Sequence, residues 1–238
     1  MAQNTAIVAN LLSKTAFFGP LEPADRLAIA RQMVKAEFQP NETVFARGDA
    51  GRDVYVVVAG CVRLSVFSAD GRLLSFKHAN AGDVFGEIAA LDNGLRTADA
   101  VALTHVVAMT LAQEALNSLI AGNPRVARAA IAWLCRRLRE TSEQVKTIAL
   151  HSVEVRLARY LLSRLALIDG RADGAVTGGV TATIEPGLSQ SEIASLIGAS
   201  RQKVNAALGF LEEAGAINRR GRRIACDPFL LAQIAAAD

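Results

Sequence analysis

Hydrophobic and polar positions fall into three textures along the chain. Residues 5 to 35 space their apolar positions as short helices, punctuated by Pro20 and Pro23. Pro23-Ala24-Asp25 reads as a helix start, because proline at the first helical position gives up no intrahelical hydrogen bond. From about residue 38 to 111 the pattern turns to strands. Val54-Tyr55-Val56-Val57-Val58 is a short β-branched run closed by Gly60. Val62, Leu64 and Val66 then alternate with Arg63 and Ser65 at period two. Ala69-Asp70-Gly71 is a hairpin signal, since glycine accepts positive φ. Val101 to Leu111 predicts one further strand. Short strands with turns at this spacing suggest a small barrel or sandwich.

Next the period changes to that of a long helix. Asn123-Pro124 supplies a cap and a first turn, and no Gly or Pro follows until beyond Leu150. Val126, Ala130, Leu134, Leu138, Thr141, Val145 and Ile148 recur at three and four residues and make one apolar stripe. At 1.5 Å per residue such a helix is roughly 40 Å long, more than a small barrel can cover. Two readings stay open: a helix packed on its own domain, or one that pairs with its copy in a dimer, coiled-coil fashion.

His151-Ser152-Val153 is expected to break or bend this helix, and a further amphipathic helix runs from Val153 to Ile168. Residues 169–183 hold four glycines, Gly170, Gly174, Gly178 and Gly179, and predict a loop or loose hairpin. Leu188 to Ala194 starts a short helix, Ile197-Gly198-Ala199-Ser200 is a turn, and Ser200 caps a second helix, Arg201 to Ala214, that Gly215 ends. Two short helices joined by a glycine-containing turn predict a helix-turn-helix. Ala216 to Cys226, with Arg219-Arg220-Gly221-Arg222-Arg223 in the middle, reads as strand, basic turn, strand: a wing. A last helix covers Pro228 to Ala236. Leu196, Val204, Leu208 and Leu211 are expected in the core. The fold class is α+β, with domains at residues 1–122, 123–150 and 151–238.

Composition narrows the function classes. Across 238 residues, 51% are hydrophobic and 21% charged, ordinary globular values that argue against disorder. No apolar run approaches the roughly eighteen residues of a membrane span. The first thirteen residues carry no charged side chain and so lack the basic start of a secretory signal. The expected address is the cytoplasm. Three scattered cysteines, Cys61, Cys135 and Cys226, argue against a disulfide framework, an iron–sulfur cluster or structural zinc. The net charge of +3 is spread evenly: residues 1–150 carry 16 basic and 14 acidic side chains, residues 151–238 carry 10 and 9. A nucleic-acid partner must therefore be read from local clusters. No activated nucleophile is evident, so no catalysis is expected.

One loop collects the chemistry. Gly82-Asp83-Val84-Phe85-Gly86-Glu87-Ile88-Ala89-Ala90 precedes Arg96-Thr97-Ala98. Glycines admit a ligand close to the backbone, and a helix starting near Glu87 offers free N–H groups to an anion. Arg96 suits a phosphate through two charge-assisted bonds, and Glu87 suits a sugar hydroxyl. An anion reader beside a sugar reader suggests a nucleotide; the plainer reading of the two is a surface ion pair.

The segment Phe-Gly-Glu-Ile-Ala-Ala followed by Arg-Thr-Ala resembles the phosphate-binding cassette of cyclic-nucleotide-binding domains. With the long helix and the C-terminal helix-turn-helix, nearly the whole chain resembles the cyclic AMP receptor protein (CRP-FNR) family of bacterial transcription regulators. The resemblance implies an N-terminal β-roll sensor, a long dimerisation helix and a winged helix-turn-helix. It implies Glu87 on the ribose 2′-OH, and Arg96 with the backbone of Gly86, Ile88 and Ala89 on the cyclic phosphate. Thr97 sits where the family places a small hydroxyl near phosphate and base, which keeps cyclic GMP open beside cyclic AMP. Arg137-Leu138-Arg139-Glu140-Thr141-Ser142-Glu143 resembles the family's central-helix segment. That implies base contacts from Thr141 and, across the dimer, from Ser142; a polar break that fixes the register of the seam is the other reading.

In the helix-turn-helix, Arg201 suits guanine O6 and N7, and Gln202 suits adenine N6 and N7, with Asn205 on the same helix. The second of these positions is Glu in the family's type member, and Ala206 stands where a further Arg reads bases, so the operator should differ at neighbouring positions. Ser189, Gln190, Lys203, Arg222 and Arg223 are read as phosphate contacts, the wing arginines equally as a solvated turn. The family further implies a homodimer on palindromic double-stranded DNA, RNA polymerase as a partner, and neither metal nor membrane. Haem and oxygen sensing are not expected, because no Cys lies near His78 and the cysteine cluster is missing. The alternative function is a regulator of the same fold that senses another small ligand or none.

Overall fold

The computed structural model describes residues 2–69, 73–168, 182–184, 189–221 and 223–236. The expected turn at Asp70-Gly71, the glycine-rich stretch over 169–181 and the wing residue Arg222 lie outside the described residues. The chain divides into two compact units, Met1–Arg139 and Glu140–Asp238.

In the first unit the helices α1 (Ala2–Ser13) and α2 (Pro23–Ala30) lead into β1 (Val34–Phe38), β2 (Thr43–Phe45), β3 (Asp53–Ala59), β4 (Val62–Phe67), β5 (Leu73–Ala79) and β6 (Val84–Phe85). A short helix α3 (Glu87–Asp92) precedes β7 (Asp99–Ala102) and β8 (Val106–Ala112), and α4 (Gln113–Gly122) leads to the long α5 (Pro124–Leu150). The strands form two antiparallel sheets in the orders β1-β8-β3-β6 and β2-β7-β4-β5. Alternation decides the faces. Val62, Ala79, Ala100 and Ala102 turn inward and pack with Val57, Phe85 and Ala108 in the roll. A second cluster forms where Val54, Val56, Met109 and Leu111 meet the helices through Leu12, Phe17, Phe18 and Trp133. Each fully buried Val, Leu or Phe among these stabilises the fold by about 1.5–3 kcal/mol.

Two expectations change here. The single strand over Val101 to Leu111 is two strands in different sheets, because the chain turns a corner at Leu103-Thr104-His105. Leu103 N–H donates to the Cys61 carbonyl (2.8 Å) and Thr104 Oγ1 accepts from Cys61 N–H (3.1 Å), which ties the corner to the β3–β4 turn. The apolar stripe of α5 also splits. Val126, Ala129, Ala130 and Trp133 are buried against the first unit, whereas Ile131, Leu138 and Val145 stay exposed at 62%, 68% and 60%.

The second unit takes in the end of α5 and continues with α6 (Val153–Ile168), β9 (Ala182–Ile184), α7 (Gln190–Leu196), α8 (Arg201–Glu213), β10 (Ile217–Arg220), β11 (Arg223–Cys226) and α9 (Pro228–Ala235). Its sheet runs β10-β11-β9, so the expected wing hairpin gains a third strand. Leu157, Leu161, Ile193, Val204, Leu208, Leu211, Ile224 and Leu231 share one core, while Leu196 is only half-buried. Ser189 caps α7 in a reciprocal capping box: its Oγ accepts from Glu192 N–H (3.3 Å) and its own N–H donates to Glu192 Oε2 (2.7 Å). Ser200 caps α8. No helix among the described residues is long and apolar enough to cross a membrane.

Candidate functional site

Gly86 joins β6 to α3 with φ at 79°, a left-handed conformation that glycine adopts without strain. A Cβ there would lie 2.7 Å from Arg96 Nη1, so the absent side chain is also what lets the guanidinium approach the backbone. Arg96 is 5% exposed. Its Nη1 donates to the Gly86 carbonyl (2.7 Å) and its Nη2 to the Asp53 carbonyl (3.0 Å). Its guanidinium carbon sits 4.2 Å over the Phe45 ring and 5.7 Å from that of Tyr55. A cation on an aromatic face in a desolvated site gains about 2 kcal/mol. Arg96 is thus held from three sides, with two of its five donors on carbonyls.

Glu87 opens α3 and is also 5% exposed. Burial raises its carboxyl above the usual range; its own backbone N–H and the charges of Arg137, Lys77 and Arg96 pull it back. Among the described residues no ion pair joins Glu87 to Arg96 directly. The reading of the two as a surface pair is therefore wrong: both are buried. An isolated buried charge costs several kcal/mol, so two of opposite sign held side by side fit a polar ligand laid between them. Ala89 is buried, and Ile88 and Thr97 are exposed on the same segment. Asp53 and Asp49 fix the segment from below, the Asp49 carbonyl accepting from Arg96 N–H at 2.8 Å.

Two cations near Glu87 escape a sequence reading. Arg137 lies in a motif already singled out, four residues before Thr141 and so on the same helical face, a spacing that could have flagged it. Lys77 lies on β5 and is half-buried. Thr141 and Ser142 lie in α5 beyond the division at 139/140, both exposed.

In the second unit α8 buries Val204, Ala207, Leu208 and Leu211 and turns Arg201, Gln202 and Asn205 outward. These three and Gln190 line one cavity of about 470 Å³. Lys203 and Arg223 are exposed. Ser189 is exposed as well, although its hydroxyl already caps α7. The basic run is not uniform: Arg219 is spent on Glu212, with Nη2 at 2.8 Å and Nε at 3.0 Å from Oε2. At the turn between α7 and α8, Gly198 has φ at 64°, and Arg156 Nη1 donates to the carbonyls of Ile197 (2.6 Å) and Gly198 (3.0 Å).

Comparison with known proteins agrees with this layout. Residues 35–123 match the cyclic nucleotide-binding domain model and residues 155–234 the Crp-like helix-turn-helix domain model. A CRP-like cAMP-activated global transcriptional regulator from Mycobacterium tuberculosis is 33% identical over 90% of this chain and 93% of its own length. The cyclic AMP receptor protein of Thermus thermophilus is 30% identical over 76% of this chain and 77% of its own. Among solved structures, FixK2 from Bradyrhizobium japonicum superposes with a TM-score of 0.72 at 22% identity, covering 87% of this chain and 98% of that one, which bears on the fold alone. With both domain models in family order and a relative so similar over nearly its whole length, this chain belongs to the CRP-FNR family of DNA-binding transcription regulators.

Proposed function

We propose that the protein is a cyclic-nucleotide-responsive regulator: cyclic AMP, with cyclic GMP as the open second ligand, sets the affinity of a homodimer for a palindromic operator. The buried Glu87 and Arg96, close but not joined, carry this reading. A cyclic nucleotide offers each what it needs, a sugar hydroxyl for the carboxylate and a phosphate anion for the guanidinium. The backbone of Gly86, Ile88 and Ala89 adds N–H donors, Thr97 a hydroxyl, and Thr141 and Ser142 the base contacts that the family resemblance implies.

The exposed apolar positions of α5 support the dimer. Ile131, Leu138 and Val145 repeat at seven residues, each followed three residues on by Leu134, Thr141 and Ile148 in turn, the heptad pattern of a paired helix. Arg201, Gln202 and Asn205 read bases, while Gln190, Ser189, Lys203, Arg222 and Arg223 hold phosphates. Two recognition helices in a dimer fit half-sites about one DNA turn, roughly 34 Å, apart. RNA polymerase is the further partner and the cytoplasm the site of action. The functional modules are residues 1–122, 123–150 and 151–238.

Calorimetric titration of nucleotide-free protein with cyclic AMP and then cyclic GMP tests the reading, with Arg96→Ala as control. Binding that the variant loses supports it. No heat from either nucleotide in folded protein would overturn it.

A further inference from the structure

Gly51 is buried, and it is not among the glycines of positive φ. Its backbone conformation would therefore suit alanine, and what keeps a side chain out is space. A Cβ on Gly51 would lie 2.1 Å from Ala89 Cβ and 3.2 Å from the Ala89 Cα and carbonyl carbon. Carbon atoms in contact sit about 3.5–4.0 Å apart, so a side chain here would force the two backbones apart by roughly 1.5 Å. The missing side chain lets the 48–51 backbone lie directly against α3.

Both partners in this contact are pinned. Gly48 N–H donates to the Arg96 carbonyl (2.9 Å), Arg96 N–H to the Asp49 carbonyl (2.8 Å) and Gly51 N–H to the Gly94 carbonyl (3.4 Å), with a bridge between Ala50 and Leu95. The residue that carries the guanidinium is thereby tied to the 48–51 segment. On the other side Ala89 is 2% exposed within α3, and Gln113 Nε2 donates to the Ala90 carbonyl (3.1 Å) and to Asn93 Oδ1 (2.7 Å). Gln113 N–H also donates to the Arg52 carbonyl (2.8 Å), so α3 and the segment share one anchor. Whichever side yielded to a side chain at 51, the spacing between Arg96 and the Ala89 backbone would change.

We propose that Gly51 is a positioning residue for the nucleotide phosphate: its lack of a side chain sets the separation between Arg96 and the backbone of Ala89. The proposal rests on the nucleotide reading above, which gives the phosphate to those two groups. Gly51 acts through Ala89 and not through a ligand contact of its own.

The test is calorimetry on the full chain with cyclic AMP and cyclic GMP, with urea unfolding in parallel, for the native protein, Gly51→Ala, and the size swap that joins Gly51→Ala to Ala89→Gly. Gly51→Ala is expected to lower the affinity for each nucleotide that the native protein binds by about tenfold or more, the loss of one hydrogen bond to a charged group. The swap removes the overlap of the two Cβ atoms and should regain most of that loss. A glycine needed for stability alone would lower the urea midpoint and leave the affinity of the folded protein unchanged, which would overturn the proposal. So would a loss in Gly51→Ala that the swap does not regain. If Gly51→Ala does not fold, the swap decides alone: near-native affinity supports the proposal, and weak binding or an unfolded swap overturns it. A native protein that binds neither nucleotide would remove the nucleotide reading together with the proposal.

Discussion

At the scale of single residues, burial and charge pull Glu87 in opposite directions, and the sign of each effect can be worked out. Burial raises the carboxyl's pKa. A raised value means that the folded state keeps a proton which the unfolded state has released, so stability falls as pH rises from the ordinary carboxylate value through the folded one. Glu87→Gln removes that titration. The nucleotide-free variant should therefore show a flatter stability profile across mildly acidic pH, with the native protein losing ground as pH rises; urea unfolding at a series of pH values measures it. Ligand binding carries the reverse sign. A ribose hydroxyl donates to the ionised carboxylate, so cyclic AMP affinity should climb through the same window in the native protein and stay level in Glu87→Gln. A Glu87 that touched no ligand would give the first effect without the second. The sequence displayed Glu87 and Arg96 as a pair because both sit in one short motif. It hid Phe45, Tyr55 and Lys77, which reach the site only through sheet pairing and lie outside that motif.

Secondary-structure elements were legible wherever one physical signal dominated. Pro23, Asn123-Pro124, Ser200 and Gly215 mark helix ends where the structure has them, since caps and proline act within a few residues. The corner at Leu103-Thr104-His105 was not legible, because the residues there continue a strand-like run and the bonds that turn it come from Cys61. The divided face of α5 was likewise hidden: the periodicity is uniform, whereas burial on its own unit ends at Trp133, whose ring lies 5.3 Å from that of Phe17. Arg156 is a third case, holding a turn that lies 41 residues further on. Its guanidinium satisfies the Ile197 and Gly198 carbonyls, the end of α7 that no intrahelical donor reaches. Arg156→Ala should destabilise the second unit by about 2 kcal/mol, the range for hydrogen bonds from a charged donor. Denaturant unfolding of the whole chain, followed by a probe in the second unit, reads the loss; a shift below a few tenths would mean that water replaces the guanidinium there.

For the whole molecule, the consequence of joining a nucleotide sensor to a DNA reader is thermodynamic and does not depend on the path between them. If cyclic AMP tightens operator binding by some factor, the operator must tighten cyclic AMP binding by the same factor. Turning a population from 1:99 to 99:1 requires a ligand preference of about 10⁴ between the two states. Three measurements close the cycle: operator affinity without nucleotide, operator affinity at saturating cyclic AMP, and cyclic AMP affinity at saturating operator. Arg96→Ala should bind the operator at the native nucleotide-free level and show no response, because its recognition helix, α8, is untouched. Lys203→Ala should do the opposite, keeping the nucleotide response while lowering operator affinity and reducing the salt slope by about one phosphate contact. The even charge along the chain makes this separation sharp: with a net charge of only +3, little DNA affinity comes from the sensor's overall field, so the salt dependence reports the C-terminal contacts. Unequal coupling factors in the native protein would mean that the state which binds nucleotide is not the state which binds DNA, and the regulator would then work by some route other than a shift between two populations.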